Sequence, residues 1–362
     1  MQNLSTILDK AMHRIPLAQQ EIIHLLQLTD PAERERLFAA ARQQRQRYFA
    51  DKVFLYGFVY FSTYCRNECA FCFYRNSNNE PVRYRKSKEE IVAISRALAA
   101  DGVHLIDLTM GEDPAFLANA ASGYEDLLEI VQLVKAATGL PIMISPGVVP
   151  REVLVRLKQA GADWYACYQE THNRRLYGEL RLNQSYDQRW DSKVSAAAIG
   201  LLVEEGLLVG VGDCARDTAH SFSRMRELGA AQVRTMSFVP QAGTPLAETV
   251  AAGNRREINI IAVMRLLFPD RLIPASLDVE GVSGLKERLA AGANVVTSLI
   301  PPQAGLLGVS QSTLDIADGC RTAAGIRPIL QECGLTPAAP AEYAAWLDNT
   351  RGCRGREAVV CG

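Results

Sequence analysis

Apolar and polar positions follow two periods along the chain, and the two periods alternate. Short runs rich in β-branched and other apolar residues predict strands. Segments with apolar residues at i, i+3, i+4 and i+7 lie between these runs and predict helices. The predicted strands are VFLYGFVYF (53–61), VHLIDLTM (103–110), PIMIS (141–145), DWYACYQ (163–169), LLVGVG (207–212), QVRTMSF (232–238), LIPASLD (272–278) and NVVTSL (294–299).

The helical segments complete a repeating strand–helix pattern. Several of them end in glycine, a common helix C-terminus. Eight strands that alternate with helices predict a parallel sheet closed into a (βα)8 TIM-type barrel. We expect a helical extension over 1–50, the barrel over 51–325, and C-terminal helices with a tail over 326–362 of the same domain. The predicted helices are KSKEEIVAISRALAADG (86–102), GYEDLLEIVQLVKAATG (123–139), PREVLVRLKQAG (150–161), SYDQRWDSKVSAAAIGLLVEEG (185–206), RDTAHSFSRMRELG (216–229), RREINIIAVMRLLF (255–268) and GLKERLAAG (284–292).

Composition adds few constraints. The chain has 362 residues, 48% of them hydrophobic and 22% charged, with a formal net charge of −1. This near-neutral charge gives no electrostatic case for binding nucleic acid or an anionic membrane. No apolar stretch has membrane-spanning length, and the start, MQNLSTILDKAMHRIPL, does not resemble a signal peptide. We therefore expect a cytoplasmic protein. The sequence leaves the oligomeric state open, and a monomer is the expectation.

The nine cysteines carry the strongest chemical signal. A reducing compartment disfavours a disulfide framework, so we expect most of them to be core thiols or metal ligands. Three of them stand as C-x3-C-x2-C in YFSTYCRNECAFCFY (60–74), directly after the first predicted strand. The cysteines predicted to be buried free thiols are Cys167, Cys214, Cys320 and Cys333.

The three clustered thiols need a different explanation. A structural zinc ion would need a fourth Cys or His nearby, and the next eighty residues offer only His104. Three thiolates suit a 4Fe–4S cluster that leaves one iron without a protein ligand. Such an iron can chelate a small molecule through an amine and a carboxylate. The ligands predicted for the cluster are Cys65, Cys69 and Cys72.

This loop, with Phe71 before the third cysteine, resembles the signature of the radical S-adenosylmethionine (SAM) enzymes. The resemblance implies that SAM binds the open iron and is cleaved to a 5′-deoxyadenosyl radical by one electron. It implies a flavodoxin or ferredoxin as the donor of that electron. The hydrogen acceptor is then the cofactor radical, and no side chain is predicted to be catalytic. The cofactor contacts that the resemblance implies are Phe71, Tyr74, Gly111, Glu112, Glu170 and Arg181.

The implied roles differ among these residues. MGED (110–113) matches the glycine-rich turn that meets the methionyl ammonium. Glu170, in QETH, resembles the acidic residue placed on the ribose or the ammonium. Arg181, in LRLN, resembles the arginine of the methionyl carboxylate, with Arg174 and Arg175 as close competitors.

Longer stretches of the sequence resemble one particular family within the radical SAM enzymes. They are similar to the methylornithine synthase family, the lysine mutases that open pyrrolysine biosynthesis and that are related to biotin synthase. This implies that L-lysine is isomerised to 3-methylornithine by hydrogen abstraction, carbon–carbon fragmentation and recombination. The stretches include YFSTYCRNECAFCFYRNSN, DLTMGEDP, DWYACYQETHN, VRTMSFVPQAGTPL, IPASLDVEGVSGLKERLAAGANVVTSLIPP and GVSQSTLDIADG.

The charges of such a substrate suggest its ligands. An α,ω-diamino acid needs a cation for its carboxylate and anions or dipoles for two ammonium groups. Arg234 in the sixth strand can supply a bidentate fork. Acceptors for the ammonium groups are Ser276 and Asp278, which share one face of the seventh strand, and Asp113, which follows the second strand. An ion pair of Arg234 with Asp107 inside the barrel is the structural alternative.

Two other functions remain open at this point. A sulfur-inserting or cluster-maturation enzyme would need ligands for an auxiliary cluster, for which Cys167 with Cys214, or Cys353 with Cys361, are the candidates. A non-catalytic zinc-binding module is the alternative of a different class.

Overall fold

The computed structural model describes residues 3–117, 123–251, 253–301 and 321–360, with the backbone alone for 123 and 353–360. Eight barrel strands lie within these ranges: β1 (Lys52–Ser62), β2 (Leu105–Met110), β3 (Ile142–Ser145), β4 (Trp164–Ala166), β5 (Leu202–Val209), β6 (Gln232–Ser237), β7 (Pro274–Ser276) and β8 (Val295–Leu299). They form one parallel sheet in the order β6-β5-β4-β3-β2-β1-β8-β7, and a ninth short strand, Thr336–Pro337, pairs with β1 outside this order.

The sheet curls until its two outer strands meet. Gln232, the first residue of β6, forms a parallel β-bridge with Leu272, two residues before β7. Two backbone hydrogen bonds support this bridge, from Val233 N to Leu272 O (3.0 Å) and from Leu272 N to Ala231 O (3.1 Å). The predicted TIM-type barrel is therefore confirmed.

Helices surround the barrel and precede it, and their ends show the local signals expected from the sequence. Ser87 caps the helix before β2 in a reciprocal box with Glu90, and Gly102 ends it at φ +91°. The helices are Leu4–Met12, Gln19–Leu26, Pro31–Phe49, Lys88–Asp101, Pro114–Leu117, Gly123–Thr138, Arg151–Ala160, Arg174–Leu180, Tyr186–Ala198, Ala215–Leu228, Arg255–Leu267, the 3-10 turn Gly281–Gly284, Leu285–Ala290, Ala323–Glu332 and Pro340–Val360.

One predicted boundary is wrong. The periodicity predicts a single helix over 185–206, but the helix ends at Ala198 and β5 begins at Leu202. Gly200, at φ +84°, makes the turn between them. The strand therefore carries two adjacent glutamates, Glu204 and Glu205, both fully buried.

Each of these glutamates is buried with partners. Glu204 accepts hydrogen bonds from Gln232 Nε2 and from the Tyr168 hydroxyl, both at 2.7 Å. Glu205 forms an ion pair with the equally buried Lys193 of the preceding helix. Paired in this way, carboxylates can occupy strand positions that their polarity alone would assign to a surface helix.

The amino-terminal end of the barrel is closed by the C-terminal helix. Trp346 stacks on Trp164 of β4 with ring centroids 5.9 Å apart. Tyr343 is buried against Phe54 of β1, and its hydroxyl lies 2.8 Å from that of Tyr56. This closure leaves the opposite end for ligands, where the chemistry of such barrels lies.

The N-terminal helices pack on one side of the barrel. Asn259 of the helix Arg255–Leu267 joins them through hydrogen bonds from Arg34 Nε and to Leu28 O, both at 2.9 Å. The division at residues 50 and 325 stays a prediction. Among the described residues, no helix combines the length and the apolarity needed to cross a bilayer. The stretch 308–319, Cys320, Cys361 and the side chain of Cys353 lie outside the described residues.

The closure by the C-terminal helix predicts a large cost for removing Tyr343. Tyr343→Ala should lower the free energy of unfolding by about 3–5 kcal/mol, because it leaves a cavity under the barrel. Tyr343→Phe removes only the hydroxyl and should cost about 1–2 kcal/mol. Denaturant titration of both variants measures the two values; equal losses would show that the ring is not what closes this end.

Candidate active site

A cavity of about 260 Å³ lies at the carboxyl ends of the strands. Residues of β1 to β6 and of the segments that follow them line it, together with Asp278 after β7. Most of the predicted site residues meet here. Those that line the cavity are Cys65, Cys69, Phe71, Cys72, Gly111, Glu112, Glu170, Arg181, Arg234 and Asp278.

The cysteine loop is attached to the barrel at two places. Residues Glu68–Cys69 form a short antiparallel ladder with Arg181–Leu182. Nearer its start, Arg66 N donates to Glu112 O at 3.0 Å. The loop is thereby held across the mouth by backbone contacts with the segments after β2 and β4.

Gly111 permits the closest of these approaches. A Cβ at this position would lie 2.3 Å from Tyr64 O and 2.9 Å from Cys65 Cβ. Its φ is not in the left-handed region, so lack of space, and not backbone conformation, requires glycine. The sequence predicts that the backbone at Gly111 contacts the cofactor. The structure adds that Gly111 makes room for the cysteine loop at Tyr64 and Cys65.

The three thiols suit a cluster. All three line the same cavity, and all are free. Among the described residues, no three His, Cys, Asp or Glu side chains converge on a point that could hold a single metal ion. A 4Fe–4S cluster does not require several side chains to meet at one metal ion, because each of its irons takes one thiolate. Burial raises the pKa of Cys65 and Cys72, so these thiols need metal to hold their thiolate form.

Arg181 lies beside the cluster loop, and its two competitors do not. Its Nη2 donates to Glu170 Oε1 at 2.6 Å, with both side chains buried. Its guanidinium lies 5.5 Å from the centroid of the Phe71 ring. Arg174 and Arg175 are exposed, paired with Asp187 and Glu179 respectively. The geometry favours Arg181 among the three.

A second buried arginine, Arg189, was missed by the sequence analysis. Its Nη2 donates to Glu112 Oε1 at 2.9 Å, and Arg66 of the cysteine loop holds Glu112 Oε2 at 3.2 Å. Burial raises the pKa of Glu112, but the two guanidinium groups outweigh it and leave the pKa below its usual value. Glu112 thus bridges the cysteine loop and the helix Tyr186–Ala198. Only the helical period, which turns Arg189 inward with Trp190, could have signalled this position.

Arg234 lies deeper in the barrel. Three hydroxyls surround its guanidinium: those of Tyr168 (2.9 Å), Ser276 (3.0 Å) and Thr297 (2.7 Å). Two carboxylates lie farther away, with Glu204 at 3.7 Å and Asp278 at 3.8 Å.

The ion pair between Arg234 and Asp107, the structural alternative, is not formed. Among the described contacts, the carboxylates within ion-pair distance of Arg234 are those of Glu204 and Asp278. The side chain of Asp278 also accepts from Ser276 Oγ (3.0 Å) and from Ser298 Oγ (2.6 Å). Ser298 adopts φ +66° and contacts this site residue.

Asp107 lines the same cavity and is buried. Thr109 Oγ1 donates to its Oδ1 at 2.9 Å. Burial, with the nearby charge of Glu204, raises the pKa of Asp107 to about 7. The cavity therefore contains a carboxyl group that a neighbouring cation would help to ionise.

Three predicted site residues do not line the cavity. Tyr74 is buried and stacks on Tyr60 with centroids 5.6 Å apart. Asp113 is fully buried, and its carboxylate accepts from Ser62 Oγ (2.5 Å) and from Arg85 Nε (2.7 Å). The third, Ser276, reaches the site through Arg234. Ligand contacts of Tyr74 and Asp113 stay predictions.

The remaining cysteines are placed differently from one another. Cys167 is buried on the cavity wall, where Arg189 Nη1 donates to its sulfur at 2.9 Å. Cys333 is half-buried. Cys214 is exposed at the start of the helix Ala215–Leu228, so the expectation of a buried thiol was wrong there.

A TIM-type barrel with three cysteines after its first strand defines the class of radical SAM enzymes, and the Radical SAM superfamily model matches residues 59–212. The 3-methylornithine synthase of Methanosarcina acetivorans is 43% identical over 342 residues, which cover 94% of this chain and 95% of that protein. The chain belongs to the 3-methylornithine synthase family.

The solved structures agree. The crystal structure of methylornithine synthase (PylB) superposes with a TM-score of 0.89 at 42% identity, covering 94% of this chain and 99% of that one. A more distant relative is the [FeFe] hydrogenase maturase subunit HydE of Thermotoga maritima, 30% identical over 80% of this chain and 82% of that protein. Family membership makes the chain a radical SAM enzyme that uses a 4Fe–4S cluster and SAM, so the zinc-module alternative is wrong.

The close packing at Gly111 predicts an effect on cluster loading. Gly111→Ala should displace the cysteine loop and lower the iron content after anaerobic reconstitution. Gly178→Ala is the matched control, because a Cβ there meets nothing within 4 Å. Iron analysis and the visible absorbance of both proteins check this; full iron in Gly111→Ala would show that the loop moves freely.

Because the pKa of Asp107 is raised, we expect its replacement to raise the free energy of unfolding by an amount that depends on pH. An Asp in the unfolded chain ionises near pH 4, whereas the pKa of Asp107 in the folded protein is about 7. The Asp107 carboxyl therefore lowers the free energy of unfolding by an amount that grows between these pH values and is constant above them. Asp107→Asn should therefore raise the free energy of unfolding by a few kcal/mol more at pH 8 than at pH 4. Denaturant titrations of parent and variant at both pH values measure this; a gain independent of pH would mean that the carboxyl ionises normally.

Proposed function

We propose that the chain isomerises L-lysine to 3-methylornithine, the first step of pyrrolysine biosynthesis, by hydrogen-atom abstraction, carbon–carbon fragmentation and recombination. The charge pattern around Arg234 is the observation that carries this proposal. Membership of the 3-methylornithine synthase family supports the reaction.

The charges of the cavity fall into two groups. Near the cysteines, Arg181 is paired with Glu170 and Arg189 with Glu112. Deeper in the barrel, Arg234 has three acidic side chains around it. The buried Arg321 lies with its Nη1 3.7 Å from Asp278 Oδ1, so three acidic groups face two cations. Those acidic side chains are Asp107, Glu204 and Asp278.

This deeper group matches the charges of lysine. A diamino acid brings one carboxylate and two ammonium groups, and so has a net positive charge. The guanidinium can take the carboxylate, while the surplus of acidic groups compensates the ammonium groups. A neutral or acidic substrate would leave that surplus uncompensated in a buried site.

The group nearer the cysteines suits the cofactor. When bound, the reduced cluster and SAM supply a 5′-deoxyadenosyl radical that accepts a hydrogen atom. Cys65, Cys69 and Cys72 would hold three irons. Arg181 with Glu170 offers a cation and an anion for the methionyl group, and Phe71 offers an aromatic face.

The role of the barrel residues is to hold two fragments. Breaking a carbon–carbon bond divides the substrate, and both parts must stay aligned until they recombine. Arg234 would keep the glycyl part by its carboxylate. Ser276 and Asp278, linked to each other and to Ser298, would anchor an ammonium group. None of these side chains needs to donate or accept a proton.

Two further parts of the proposal concern Asp113 and the electron. Asp113 would grip substrate only if it exchanged part of its contact with Arg85, which is bidentate at 2.7 and 2.9 Å. A flavodoxin or ferredoxin in the cytoplasm would donate the electron.

The reaction itself is tested by incubation with SAM, dithionite and deuterated lysine under nitrogen. Mass spectrometry and NMR should show 3-methylornithine, with deuterium also in recovered SAM because the hydrogen is returned. Cleavage of SAM without any change in lysine would contradict the proposal.

The carboxylate contact is tested by Arg234→Lys. The variant keeps the charge but loses the fork, so lysine should bind roughly 30- to 150-fold more weakly, the loss of one charge-assisted contact. Iron content and SAM binding should equal those of the parent. The exposed Arg216→Lys is the matched control. Isothermal titration with lysine gives the affinities; parental affinity in Arg234→Lys would place the carboxylate elsewhere.

A further inference from the structure

Among the described hydrogen bonds, the sulfur of Cys69 has side-chain donors, which the other two cluster ligands lack. Gln184 Nε2 donates to Cys69 Sγ at 3.1 Å, and Arg181 Nη1 lies 3.6 Å from the same atom. The described hydrogen bonds to Cys65 and Cys72 come from backbone groups. Cys69 is buried, so its contacts are shielded from water.

The orientation of the Gln184 amide is determined by its surroundings. Its Oε1 accepts from Arg189 Nη2 at 2.8 Å and from Arg181 Nη1 at 3.5 Å. Guanidinium groups only donate hydrogen bonds, so the carbonyl oxygen of the amide must face them. The amide N–H2 group then faces the sulfur. Rotating the amide would bring donors against donors on one side and leave the sulfur without this N–H on the other.

The two arginines also polarise the amide. Each is buried and paired with a carboxylate, Arg189 with Glu112 and Arg181 with Glu170. Their positive charge draws electron density toward Oε1 and makes the N–H groups better donors, as in a cooperative hydrogen-bond chain. Gln184 therefore transmits this charge to a cluster ligand.

We propose that Gln184, through its hydrogen bond to Cys69, tunes the reduction potential of the cluster. Reduction adds negative charge that is shared by the ligand sulfurs, and an N–H donor stabilises the reduced state more than the oxidised state. Hydrogen bonds to the sulfurs are among the factors that determine cluster potentials. Removing the donor should make the cluster harder to reduce.

The experiment measures the potential of the anaerobically reconstituted full chain by redox titration monitored by EPR, without substrate. Gln184→Leu removes the amide. Gln184→Glu keeps an acceptor for the two arginines but has no N–H. Both should shift the equilibrium between the reduced and oxidised cluster about tenfold toward the oxidised form, equivalent to about −59 mV for one electron. Gln188→Leu, the same change at an exposed position one turn away, should have the parental potential.

A second measurement does not depend on the variants taking up a full cluster. Pulsed EPR of the reduced parent with ¹⁵N-labelled glutamine amides should show a nitrogen coupling, and the Gln188→Leu protein should retain it. Parental potentials in both Gln184 variants, or no ¹⁵N coupling in the parent, would overturn the proposal. A failure to convert lysine would not affect it, because both measurements are made without substrate.

Discussion

The barrel interior depends on the compensation of buried charge. Arg234 is buried, and a lone guanidinium in its position would cost several kcal/mol. The protein compensates it with three hydroxyls at hydrogen-bond distance and with Glu204 and Asp278 farther out. These groups come from strands that are distant in sequence, so the charge is compensated only when the barrel has closed. The same arrangement leaves the cavity suited to a ligand that carries both signs of charge.

A second set of buried pairs holds the cysteine loop. Glu112 connects Arg66 in the loop to Arg189 in a helix on the barrel's outside, and Arg181 connects Glu170 to the neighbourhood of Cys69. The loop itself has little regular structure, so its position relies on these polar contacts and on the close approach at Gly111. Because Arg181 and Arg189 also contact Gln184, two of the residues that position the loop also affect the electrostatics at the Cys69 sulfur.

Strand and helix periodicity predicted the barrel, because the pattern of apolar positions reflects burial that every closed barrel requires. The cysteine spacing predicted the cluster ligands, since all three lie in one loop. The start of β5 was missed because Glu204 and Glu205 are polar, and their burial depends on Tyr168, Gln232 and Lys193, which local sequence does not pair with them.

Arg189 and Gln184 were missed for a related reason. The helical period alone places Arg189 on the buried face of its helix, and no local pattern marks Gln184. The contacts of both residues arise only where the helix Tyr186–Ala198 and the turn before it meet the cysteine loop. Asp113 shows the converse. Its place after β2 suggested a ligand contact, but the partner Arg85, 28 residues away in the chain, was not foreseeable from the turn.

The match between the cavity's charges and those of lysine is tested most directly by comparing three ligands. Isothermal titration of the cluster-loaded protein with lysine, norleucine and cadaverine separates the carboxylate contact from the ammonium contacts. Norleucine lacks the distal ammonium group and cadaverine lacks the carboxylate, so each should bind at least about tenfold more weakly than lysine, the equivalent of about 1.4 kcal/mol. Equal binding of cadaverine and lysine would show that Arg234 holds no carboxylate, and equal binding of norleucine would show that the acidic groups hold no distal ammonium.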